Sequence, residues 1–104
     1  MRKDDLITIL SRHIGSGNGI SAAELARQMQ CCEREVRSAI SAAREEGVAV
    51  CGKPESGYFI AKTAEELDET CQFLRNRALH SLTLESRLRK IPLVDLLGQI
   101  HLPT

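Results

Sequence analysis

Four cysteines and three histidines are the side chains of this chain that could ligate a metal or serve as nucleophile and base. Their spacing supports neither chemistry. Zinc sites take cysteines in spaced pairs, whereas Cys31 and Cys32 are adjacent, and Cys51 and Cys71 supply no second pair. His13, His80 and His101 are scattered, His13 is expected to border the core, and no nucleophile stands beside a base, so neither enzyme activity nor a metal or other cofactor is expected. Gly15-Ser16-Gly17-Asn18-Gly19 has the alternate glycines of a phosphate loop. It follows a helical pattern and lacks a Gly-Lys-Ser/Thr ending, so it reads as a plain loop. What remains is a row of hydrogen-bonding groups. Arg34, Ser38 and Ser41 share one helical face with Glu45, while Arg37 and Arg44 stand on its shoulder. A guanidinium fork matches two acceptor atoms at once, which makes this row a candidate reader of a polar partner.

The chain of 104 residues is one domain's worth and can bury enough surface to fold without a disulfide or a metal. Its cysteines therefore read as reduced thiols of a cytoplasmic protein with no signal peptide ahead of them. No apolar stretch is long enough to span a bilayer. With 14 basic and 14 acidic residues the net charge is zero, which excludes coating of nucleic acid by bulk charge but leaves local patches. Split at Lys62, the chain has 9 basic and 8 acidic residues before the cut and 5 and 6 after it. Two Phe and one Tyr leave no stacking platform for single strands.

Those side chains need elements to hold them. Leu6, Ile7, Leu10 and Ile14 predict a helix over residues 4–14, stopped by the glycine run. Ser21 and Glu24 have the spacing of a capping box that opens a two-turn helix with Ala22, Leu25, Ala26 and Met29 inward. Gln30-Cys31-Cys32 interrupts it. A second helix over 33–46 carries the stripe Val36, Ala39, Ile40 and Ala43, with Cys32 as a poor N-cap and Gly47 as its terminator. Alternation then takes over. Val48 and Val50 share one face and Tyr58 and Ile60 another, with a loop over 52–57 between them, the signature of a hairpin. Thr63 and Glu66 form a second capping-box signal, and Leu67, Cys71, Leu74, Ala78 and Leu82 continue a long helix over about 63–90. Leu84, Leu88 and Ile91 extend it on a rotated stripe, His80 to Thr83 is its weak place, and Pro92 ends it. One more helical turn and an apolar tail follow. The expected fold class is mainly α with a small β-hairpin, a winged helix-turn-helix over 1–62 followed by a long helix and tail over 63–104.

The helix-turn-helix reading has its own residue test. Ala26 is the small residue required where the two helices touch, and Leu25, Met29, Cys31, Val36 and Ala39 fill the buried positions. Gln30 departs from the pattern, since many such turns place glycine there. The stretch from Gly19-Ile20-Ser21-Ala22-Ala23-Glu24-Leu25-Ala26 through Arg44-Glu45-Glu46-Gly47-Val48-Ala49-Val50 to Gly57-Tyr58-Phe59-Ile60-Ala61 resembles the small winged-helix domain at the N-terminus of the biotin operon repressor and related regulators. The continuation through Phe73-Leu74-Arg75-Asn76-Arg77-Ala78 is similar to small prophage-type winged-helix proteins with a long C-terminal helix.

The resemblance implies duplex DNA binding, with the helix over 33–46 in the major groove and the wing over 52–57 on the backbone. Base contacts are then expected from Arg34, Glu35, Arg37, Ser38 and Ser41, each arginine–guanine pair giving about 1 to 3 kcal/mol of discrimination. Glu33 stabilises the helix start. Phosphate contacts are expected from Arg2, Lys3, Arg44 and Lys53. So few contacts make a monomer weak, and a homodimer through Leu74, Ala78 and Leu82 supplies the remedy. The long helix is acidic early and basic late, which suits antiparallel pairing. The function expected is that of a dimeric transcription regulator. The alternative is a protein-interaction or replication-accessory module, in which Gln99-Ile100-His101-Leu102-Pro103 looks like the short peptide with which bacterial replication proteins hold the sliding clamp.

Overall fold

A computed structural model describes residues 2–100, Arg2 by its backbone alone. The expected Arg2 contact and the end of the 99–103 peptide, His101 to Pro103, lie outside the described residues. Helix α1 (Arg2–Leu10) turns Leu6 and Leu10, one helical turn apart, into full burial. It ends four residues before the apolar spacing does. Ile14 is 45% exposed because the backbone beside it has left the helix for a strand: the Gly15 N–H donates to the Ile60 carbonyl at 2.8 Å, and the Ile60 N–H to the His13 carbonyl at 2.8 Å. The glycine run is not wholly irregular either. Residues Ser16–Asn18 form a 3-10 turn, with the Asn18 N–H on the Gly15 carbonyl and His13 Nδ1 2.8 Å from the Asn18 carbonyl.

Helix α2 (Ala22–Met29) starts at Ser21, whose Oγ accepts the Glu24 N–H at 3.1 Å. The reciprocal half of the capping box is not made. The Glu24 carboxylate turns outward to Arg27 and Gln28, and Arg27 above all holds it down to about 2. The turn into α3 (Glu33–Glu45) depends on Gln30, which adopts φ 55°, ψ 49° itself. Its N–H donates to the Arg27 carbonyl and that of Cys31 to the Ala26 carbonyl, so the left-handed residue closes the last helical turn. A side chain in that conformation carries a steric penalty that glycine lacks. Gln30→Gly is therefore expected to stabilise the fold by about 0.5 to 1 kcal/mol, seen as a raised urea midpoint with an unchanged m-value. The same device ends α3 at Gly47 and α4 at Lys90, where φ is 59°. Lys90 thus does what the sequence assigns to Pro92, and Pro92 becomes the N-cap of the next helix.

Strands β1 (Val50–Lys53) and β2 (Gly57–Ile60) pair antiparallel, Val50 opposite Ile60 and Cys51 opposite Phe59. Ile20 adds a one-residue third strand: its N–H donates to the Tyr58 carbonyl at 2.8 Å and its carbonyl accepts the Tyr58 N–H at 2.7 Å. Val50, Tyr58 and Ile60 join the core formed by Leu6, Leu10, Leu25, Val36 and Ile40. Cys51 and Phe59 point to the other side of the hairpin and are also fully buried. That side is closed by the start of α4 (Ala64–Arg89), where the Cys51 thiol lies 3.6 Å from the Glu66 carbonyl and Thr70 is buried.

The expected architecture is present: mainly helical, with a two-stranded hairpin and a long helix. The first compact unit runs to Thr70, so it includes the first turns of α4. Helix α4 passes through 80–83 without a break, 26 residues that extend about 39 Å at 1.5 Å per residue. Within the second unit, from Cys71 onward, α5 (Leu93–Gln99) is longer than the single turn expected, and Ser86 of α4 and Leu96 of α5 are buried.

Candidate nucleic-acid interface

Helix α3 has one fully committed face. Val36 and Ala43 are completely buried and Ala39 and Ile40 nearly so, which fixes the rotation of the helix about its axis. Arg34, Arg37, Ser38 and Ser41 therefore stand exposed together on the opposite side, as their spacing predicts. Arg34 makes no ion pair among the described residues. Arg37 reaches back one turn to Glu33 at 3.3 Å. Exposed pairs of this kind contribute only about 0 to 1 kcal/mol, so the guanidinium can exchange this carboxylate for another acceptor.

The N-terminus of α3 is capped weakly, as Cys32 predicts. Its side chain caps no backbone N–H, and its thiol instead donates to the Glu35 carboxylate at 3.5 Å. Glu35 is exposed and lines a shallow open depression with Lys3, Arg34, Ser38, Ala39 and Ala42. This places Lys3 of α1 on the same concave surface as three of the expected base-reading residues, a juxtaposition that the 30 residues between Lys3 and Arg34 conceal in the sequence. Lys3 is paired with Glu46.

The other expected backbone contacts are engaged. Arg44 is half-buried, and its Nε donates to the Val50 carbonyl at 2.8 Å, so its first task is to fasten β1 to α3. Lys53, at the base of the hairpin turn, pairs with Glu69 of α4 at 2.6 Å, and that carboxylate raises its pKa. Neither partnership has a local sequence signal, because the groups meet only once the hairpin has folded onto α3 and α4.

Glu66 is a further structural residue whose role the capping-box spacing only half describes. Thr63 Oγ accepts the Glu66 N–H at 3.2 Å as expected, but the Glu66 carboxylate takes the N–H groups of Lys62 at 2.7 Å and Ser16 at 2.8 Å. Those donors, Lys62 first, lower its pKa. An internal carboxylate thus occupies the Ser16 N–H, as the Ile60 carbonyl occupies that of Gly15, so the first two N–H groups of the glycine-rich run are already engaged. Among the described residues no cluster of His, Cys, Asp or Glu could hold a metal ion, and no helix is long and apolar enough to cross a membrane. Of the expected pairing residues, Leu74 and Ala78 are exposed and Leu82 is half-buried. Compared with known proteins, the chain matches no family model, no curated protein and no solved structure at a significant level.

Proposed function

We propose that this chain is a cytoplasmic winged-helix transcription regulator that binds duplex DNA as a dimer, with α3 in the major groove and the hairpin turn toward the backbone. The observation that carries this reading is the exposed row Arg34, Arg37, Ser38 and Ser41 on a helix whose opposite face is locked in the core. A rigid helix presenting forked donors near its N-terminal end suits the acceptors of guanine in a groove wide enough to admit it. Lys3 beside this face supplies a phosphate contact once it exchanges Glu46 for the backbone. Because Lys3, Arg37 and Lys53 are each paired with a carboxylate of their own chain, binding must rest on placed arginines and on two copies acting together.

Titration of labelled genomic duplex fragments by fluorescence anisotropy, over a series of salt concentrations, tests this directly. The logarithm of the affinity should fall linearly with the logarithm of salt, with a slope of about 0.9 per phosphate neutralised. Arg34→Ala should weaken the best fragment by about tenfold or more, as loss of a base-reading fork does, while leaving binding to unrelated duplex less affected. Absence of salt-dependent binding to any fragment refutes the reading. One set of observations favours a second reading as a protein-interaction or replication-accessory module: Lys3 and Lys53 are both neutralised by carboxylates of their own chain, and Glu33, Glu35 and Glu45 flank the arginines. In that reading the partner is a protein, bound by the winged unit or by the 99–103 segment that begins at Gln99.

A further inference from the structure

Every residue from Cys71 to Ser81 is exposed, a stretch of three turns of α4. The sequence there is not that of a solvated helix. Phe73 is 54% exposed, Leu74 40% and Leu79 39%, with Cys71 and Ala78 between them. Helices draw most of their stability in water from packing of one face, and no residue of these turns is buried. Cys71, Leu74 and Ala78 follow one another at intervals of three and four residues, the spacing of a seam between two helices.

We infer that this stretch pairs antiparallel with the same stretch of a second copy of the chain. Two observations choose the occupant and its direction. Of the charges on α4, Glu69 is taken by Lys53, the Glu66 carboxylate by backbone N–H groups and Arg89 by Glu85, which leaves Glu65 and Asp68 early in the helix and Arg75, Arg77, Arg87 and Lys90 later. In a parallel pair like charges would face each other along its length, whereas an antiparallel pair sets the acidic start of each copy beside the basic end of the other and opposes the helix dipoles. A two-fold axis at residue 76, the middle of the exposed stretch, also sets Leu74 against the partner's Ala78, a large residue against a small one. The same axis sets Arg75 opposite the partner's Arg77, so the self-complementarity that a two-fold interface requires rests on the apolar seam and on Glu65 opposite Arg87. Arg77 stacks on Phe73, with 5.9 Å from its guanidinium carbon to the ring centroid, and flanks the seam. The pairing deepens the DNA-binding reading, which rests on two copies, but its test uses no DNA, so the two fail separately.

Sedimentation equilibrium of the full chain should give twice the 11.5 kDa chain mass at micromolar concentration. Leu74→Asp, at an exposed position, should keep the circular dichroism of the wild type and weaken self-association at least about a hundredfold by burying an unpaired carboxylate. Direction is read by cross-linking in a Cys31→Ser, Cys32→Ser background. The axis at residue 76 places Cys71 opposite the partner's Ser81, so Cys71 alone should give no disulfide-linked dimer under mild oxidation and addition of Ser81→Cys should produce one. A monomeric wild-type chain, a dimer indifferent to Leu74→Asp, cross-linking through Cys71 alone, or no cross-link with Ser81→Cys overturns the inference.

Discussion

Phe59→Ala should destabilise the first unit by about 3 to 5 kcal/mol, the usual loss when a buried aromatic ring is truncated and leaves a cavity. Phe59 is the largest fully buried side chain among the described residues. It lies on the side of the hairpin away from the helical core, sharing that face with Cys51 and covered by the first turns of α4. Its removal therefore loosens the junction between hairpin and α4 and with it the Lys53–Glu69 pair. Against a typical stability of about 5 to 15 kcal/mol this is a large fraction of the total, and urea melts followed by circular dichroism measure it. Phe59→Leu, which keeps most of the volume, should lose no more than about 1.5 kcal/mol. Equal losses from the two variants would show that the ring does not fill a packed site.

Gly57→Ala should cost more than about 2 kcal/mol, combining the penalty of a left-handed alanine with a collision that the backbone must shift to relieve. Gly57 has φ 76°, and a Cβ there would lie 2.5 Å from the Ile20 carbonyl oxygen. That oxygen accepts the Tyr58 N–H, so the shift would also break the pairing that ties the glycine-rich segment to the hairpin. Gly19 meets the same contact from the other side, since a Cβ on it would overlap the Ser56 carbonyl. Gly17, two residues earlier, has nothing within 4 Å and an ordinary φ. Gly17→Ala should be neutral or stabilise by up to about 1 kcal/mol through the unfolded chain. Thermal melts of the three alanine variants decide the matter: if Gly17 and Gly57 respond alike, the close approach of the two segments is wrong.

These glycines mark the limit of what sequence spacing conveys. Gly15, Gly17 and Gly19 look alike in the sequence, and only the approach of Ser56 makes Gly19 indispensable. Helical periodicity placed α2, α3 and all of their inward residues but the half-buried Ala22 because a 3.6-residue repeat is a local property, and the helix-turn-helix pattern, equally local, picked out Gln30 as the unusual turn residue. It overran α1 by four residues because Ile14 has the right spacing but its neighbours exchange hydrogen bonds with Ile60, 46 positions away. Alternation found the hairpin and missed that both its faces are buried, since Cys51 and Phe59 owe their burial to a helix that comes later in the chain.

By itself, then, the sequence determined the order of elements, the inward stripe of each helix and the exposed row Arg34, Arg37, Ser38 and Ser41, all of which follow from periodicity and turn chemistry within a few residues. Tertiary structure alone decided what each charge is doing. It pairs Lys3 with Glu46 and Lys53 with Glu69, turns Arg44 into a brace for β1 and Glu66 into the anchor of the glycine-rich turn, and leaves Arg34 without a partner among the described residues. The reason is that an ion pair depends on a distance of a few ångströms between groups tens of residues apart, which no local pattern encodes.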